Sequence, residues 1–99
     1  MYEAKIELEV TAGFESNYQD KIKQEVQEES CGEVGGSIEV KKMLVCDMQI
    51  GPSNLSIYLT STNLDMFKAT VNLLIKMFKD KAKLVYCNTE LKLKKFEES

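Results

Sequence analysis

The sequence predicts an α+β domain of order β-α-β-β-α, a three-stranded, mainly antiparallel sheet with two helices on one face (KH-like). Three observations carry that expectation. Residues 2–10 alternate strictly between apolar and polar, two later runs alternate around a compact turn signal, and two segments repeat their apolar residues at helical spacing. At 99 residues, 43% hydrophobic and 29% charged, the chain fits a single domain over 1–99 with one modest core, divided into a core of 1–88 and a tail of 89–99.

In YEAKIELEV, Tyr2, Ala4, Ile6, Leu8 and Val10 share one face, while Glu3, Lys5, Glu7 and Glu9 share the other. This is the period of a strand with one buried face and one wet face. Ser16 and Gln19 have the spacing of a capping box, so the first helix is expected near Asn17, with a thin stripe of Tyr18, Ile22 and Val26. Cys31-Gly32 is its stop, and the glycine-rich GEVGGSIEVKK reads as a loop opening into strand. Leu44, Cys46, Met48 and Ile50 alternate on the next strand, which places Cys46 in the core. Leu55, Ile57 and Leu59 alternate on the one after it, and Gly51-Pro52-Ser53-Asn54 between the two runs predicts a hairpin.

Asn63 is a natural cap for a second helix, expected to run to about Tyr86. At about 100° per residue, Leu64, Phe67, Val71, Leu74, Ile75, Phe78, Ala82 and Val85 fall in one core-facing arc. Lys68, Lys76, Lys79 and Lys83 share the wet sector with Asp65, Asn72 and Asp80. Met66, Leu73, Met77 and Leu84 form a second apolar strip that a three-stranded sheet is too narrow to cover. Such a strip marks a protein interface, unless the tail folds back over it through Leu91, Leu93 and Phe96.

Composition narrows the function. The chain has no His, and all 13 of its Lys and Arg residues are lysines. It therefore lacks the commonest acid–base group and the bidentate fork suited to phosphate. No Ser or Cys has a base beside it, and no phosphate-binding glycine loop occurs, so an enzyme is not expected, nor is a cofactor or metal site. Cys31, Cys46 and Cys87 form no C-x-x-C pair, and no apolar stretch is long enough for a membrane span. Free thiols in the cytoplasm, and also the nucleus if the source is eukaryotic, are the expectation. A net charge of −3 gives no general attraction to nucleic acid or acidic lipid, so no membrane partner is expected. RNA contacts could come only from a local cluster such as Lys76, Lys79 and Lys83, and a KH-like RNA-binding module acting through that lysine face is the alternative reading.

The segment NLSIYLTSTNLDMFKATVNLLIKMFK, residues 54–79, resembles the closing half of the Pcc-type small subunit of the KEOPS complex. That family's kernel of leucine, arginine, a hydrophobic residue and asparagine corresponds to Phe67, Lys68, Val71 and Asn72, with lysine in place of arginine. The resemblance implies a non-catalytic dimerisation and assembly subunit, as a homodimer or a heterodimer with a Pcc-like chain. It implies docking through the helices onto the threonylcarbamoyl-transferase subunit, in a complex that installs threonylcarbamoyladenosine (t6A37) on tRNA. Contact with tRNA would then be indirect or made through the assembled complex.

Overall fold

The structure, a computed structural model, describes residues 1–89. The chain runs β1 (Tyr2–Val10), α1 (Glu15–Ser30), β2 (Val34–Lys41), β3 (Leu44–Val45), β4 (Met48–Gln49), β5 (Ser53–Ser61), α2 (Leu64–Phe78), a 3-10 turn (Lys79–Lys81) and β6 (Ala82–Cys87). The main sheet has four strands in the order β2-β5-β1-β6, and β3 and β4 form a separate two-stranded ribbon. Every neighbouring pair is antiparallel. Without the ribbon, the succession is the β-α-β-β-α-β of a ferredoxin-like domain. The three-stranded KH-like sheet expected from the sequence is thus replaced by a four-stranded one.

β1 lies in the interior of the sheet, paired with β5 from Tyr2↔Ser61 to Val10↔Ser53 and with β6 on its other side. Its alternation works as expected: Ala4, Ile6, Leu8 and Val10 are buried, facing the helices. Leu55, Ile57 and Leu59 of β5 and Val34 of β2 join them, and Ile22 of α1 with Phe67, Val71 and Leu74 of α2 close the core from above. The rings of Tyr18 and Phe78 meet at 6.0 Å where the two helices touch.

Three elements depart from the sequence expectation. First, β5 pairs with β2, not with the 43–50 segment, across the register Val34↔Ser61 to Lys41↔Asn54. Gly35 and Gly36 interrupt the apolar alternation of this strand and give it the look of a loop. Gly36 is required there: with φ +147°, an added Cβ would lie 1.7 Å from the Tyr58 carbonyl oxygen on β5.

Second, residues 43–50 fold back on themselves. Leu44 pairs with Gln49 and Val45 with Met48, and the Ile50 amide donates to the Met43 carbonyl at 2.9 Å. Cys46 and Asp47 take φ values of +53° and +62°, the signature of a type I′ turn. Cys46 is therefore exposed at a hairpin tip and not in the core.

Third, α2 is capped as expected, with Asn63 Oδ1 accepting from the Met66 amide at 3.2 Å, but it stops at Phe78. Residues 82–87 leave the helix and extend the sheet, which gives Ala-Lys-Leu-Val-Tyr-Cys a backbone ladder with β1. Asn88 fastens this edge strand. Its amide donates to the Glu3 carbonyl at 3.0 Å, and its Oδ1 accepts from the Glu3 amide at 2.8 Å.

α1 also begins earlier than Asn17, and no Ser16 capping box forms. The side chain at its start that matters is Glu15, whose carboxylate accepts from the Gly13 amide at 3.0 Å. Among the described residues, no helix is long and apolar enough to cross a membrane.

Candidate interaction surfaces

The added strand changes the setting of the expected interface. α2 lies against both β1 and β6, so a wider sheet covers more of the helix than a three-stranded one could. Met66 and Met77 of α2 pack against the core, and so does Leu84, which sits on β6 opposite Ile6 and not on the helix. Leu73 is half-exposed and is not among the residues that pack there. The four do not form one helical strip, because the fourth belongs to the strand that helps to cover the others. The expected fold-back of Leu91, Leu93 and Phe96 lies outside the described residues.

The kernel divides by depth. Phe67 and Val71 are fully buried, and the Phe67 ring lies 5.8 Å from that of Tyr2. Lys68 and Asn72 are half-buried on α2. The Asn72 Oδ1 is sealed from solvent without a hydrogen-bond donor among the described residues. An unsatisfied buried acceptor costs about 1–3 kcal/mol.

The expected lysine face is dispersed over three elements. Lys76 is on α2, Lys79 on the 3-10 turn and Lys83 on β6, all exposed. Lys83 stands opposite Glu7, and the alternation of β1 points Glu7 away from the helices. The open face of the sheet therefore holds Lys83 beside Glu3, Glu7, Glu9 and Glu39, with Lys5 and Lys41 as further cations. Tyr58 also points to this face, with the Lys5 ammonium 5.5 Å from its ring centroid and a Lys5–Glu7 ion pair at 3.7 Å alongside. Such a mixed, largely acidic face is a poor platform for a phosphate backbone.

Sequence reasoning missed the ribbon. Side chains alternate across it, so Val45 and Met48 share a face with Met43 and Ile50, while Leu44 and Gln49 occupy the other. Met43, Val45, Met48 and Ile50 are exposed to 67%, 54%, 73% and 50%, so an all-apolar face stands in water. On the opposite face Leu44 is also largely exposed, while Gln49 ties the ribbon to the domain: its Nε2 donates to Ser53 Oγ at 2.8 Å and to the Gly51 carbonyl at 3.3 Å. Ser53 in turn donates its hydroxyl to Glu15. This hydrogen bond, with the backbone amides at Glu15 and Gly13 and the charge of Lys42, holds the Glu15 carboxyl below its ordinary value against the opposing effect of burial. The Asp47 at the tip and the Cys46 beside it were the available signals, since a charged turn residue amid alternating apolar residues suits a hairpin better than a buried strand.

A groove of about 220 Å³ lies between α1 and the β2–β5 pair, walled by Ile22, Val26, Val34, Ile38, Ile57 and Leu59. Lys23, Gln27 and Ser37 stand among its lining residues. Its walls bring no carboxylate or thiol toward these groups.

The sequence matches no family model and no curated relative. Two solved structures are similar to it. A de novo designed protein, Foldit4, superposes with a TM-score of 0.67 at 16% identity, covering 90% of this chain and 97% of that one. The periplasmic divalent cation tolerance protein CutA from Archaeoglobus fulgidus covers 97% of this chain and 96% of its own, at 13% identity and a TM-score of 0.40. The likeness to the designed protein bears on the fold alone. The chain is a mixed α+β domain with two helices over a four-stranded antiparallel sheet.

Proposed function

We propose that the chain is a non-catalytic assembly subunit of a KEOPS-type complex, supporting threonylcarbamoyladenosine modification of tRNA. The observation that carries this reading is the match between the resembling segment and a structural unit. Residues 54–79 span β5 and the long helix α2, the strand-then-helix order of the family segment they resemble; in that family the strand is the final one, whereas here β6 follows the helix. The kernel also divides as a docking helix requires, with Phe67 and Val71 holding α2 to the sheet and Lys68 and Asn72 left toward its margin. Leu73, half-exposed on the same helix, supplies apolar surface beside them.

The test is affinity purification of the full chain from its native host, with bound proteins identified by mass. The reading expects the threonylcarbamoyl-transferase subunit to be recovered, and Leu73→Asp with Asn72→Asp to reduce its recovery. Purification of the chain without that subunit, from cells that contain it, counts against the reading.

A further inference from the structure

The ribbon formed by β3 and β4 is an unusual object to leave in solvent. A two-stranded hairpin is marginally stable in water unless one face is covered. Here Gln49 ties the inner face to Ser53, although Leu44 on that face is itself 57% exposed, and the outer face carries Met43, Val45, Met48 and Ile50 with no cover among the described residues. We propose that this outer face pairs with the same face of a second copy of the chain, the two ribbons stacked and running in opposite directions.

Charge selects both the occupant and the direction. Lys41, in alternation with Met43, stands at the base of the outer face and Asp47 at its tip, both exposed, while Lys42 falls on the inner side, toward Glu15. In the antiparallel arrangement, Asp47 of each chain comes to the partner's Lys41, so one two-fold axis makes the contact twice. A tip-to-tip arrangement would set Asp47 against Asp47. Insertion into a lipid bilayer would carry the Asp47 carboxylate in first, which the bilayer opposes. A self-complementary patch therefore needs nothing beyond this sequence.

The size of the contact sets its strength. Covering four such side chains removes roughly 60–120 Å² each from water, or about 500–1,000 Å² over two copies. This is at or below the ~1,000–1,200 Å² floor of stable interfaces. Association through the ribbon alone is therefore weak. The surface is separate from the helices, and the proposal does not depend on the KEOPS reading.

Sedimentation of the full chain between about 1 and 500 µM, at low and high salt, tests it. The expected result is a monomer when dilute and a dimer when concentrated, weakened at least tenfold by Met48→Asp and by either Asp47→Lys or Lys41→Asp alone. Mixing the Asp47→Lys and Lys41→Asp chains in equal amounts should restore association, because the mixed pair has opposite charges at both ends. Misfolded chains could not give this rescue. A strict monomer at the highest concentration overturns the proposal, as does a dimer indifferent to these changes or a mixture that fails to recover. Binding of the monomer to phosphatidylserine vesicles that is lost in Met48→Asp would also overturn it, in favour of a membrane occupant.

Discussion

Replacing Gly36 by alanine should destabilise the domain far more than the same change at Gly35. At Gly36 the new Cβ falls 1.7 Å from the Tyr58 carbonyl oxygen and 2.8 Å from its carbon. Those atoms belong to the backbone of β5, which is paired on both sides, so neither can swing away as a flexible side chain would. The φ of +147° adds a conformation that side chains rarely adopt, worth about 1–3 kcal/mol. Relief requires β2 to separate locally, losing one or two ladder hydrogen bonds at about 0.5–1.5 kcal/mol each. The expected loss is therefore about 2–5 kcal/mol, a large share of the ~5–15 kcal/mol that holds a small domain folded. At Gly35 the nearest atom to an added Cβ is Thr60 Oγ1 at 4.0 Å, so alanine there should change stability by no more than about 1 kcal/mol. Urea unfolding of the two variants, followed by far-UV circular dichroism, gives the comparison directly. Equal midpoints would refute the close approach of β2 to β5 and, with it, the assignment of 34–41 as a strand.

Four further expectations follow from the same structure. Leu84→Asp should cost about 2–4 kcal/mol in urea unfolding, and Val85→Asp within about 0.5, because Leu84 packs on the core while Val85 is exposed at the bulge. A helix running to Tyr86 would make Val85 the costly position. Asn72→Leu should leave stability unchanged or raised by up to about 1–3 kcal/mol, since it removes an unsatisfied acceptor, while lowering recovery of the partner subunit. Glu15 has a folded pKa below its ordinary value of 4.5, so its contribution is present above that value and lost as pH falls through the folded pKa. Thermal unfolding across that range should show the loss in the wild type and a flatter profile in Glu15→Gln. Cys46→Asn with Asp47→Gly suits the type I′ turn and should slow hydrogen exchange of the Ile50 amide, while the Cys46 thiol of the wild type should react with a water-soluble reagent without unfolding.

Where one physical signal dominated, the sequence was legible. The alternation of β1 and of 55–61, the Asn63 cap and the inward set Phe67, Val71 and Leu74 all follow from a period matched to a single buried face. Competing signals obscured the rest. Ala82, Leu84 and Val85 fit a continuing helical arc, yet pairing with β1 satisfies their backbone and pulls them into the sheet. Gly35 and Gly36 conceal a strand because what the fold needs at Gly36 is an absent side chain. The run 43–50 alternates as a core strand does, and that stronger pattern hides the one local sign, the charge of Asp47, that it folds back at Cys46-Asp47 to leave its apolar residues in solvent. The expected strip is broken for the same reason: Leu84 belongs to β6, and Met66 and Met77 pack partly against the core, while the ribbon exposes further apolar side chains.

The central claim, membership of a tRNA-modifying assembly, is tested most directly by the threonylcarbamoyladenosine content of tRNA from cells lacking this chain. Nucleoside mass spectrometry should show a marked fall, reversed by the wild-type gene and poorly reversed by the Leu73→Asp, Asn72→Asp form. An undiminished content of the modified nucleoside, in cells with no second Pcc-like chain, would contradict the account.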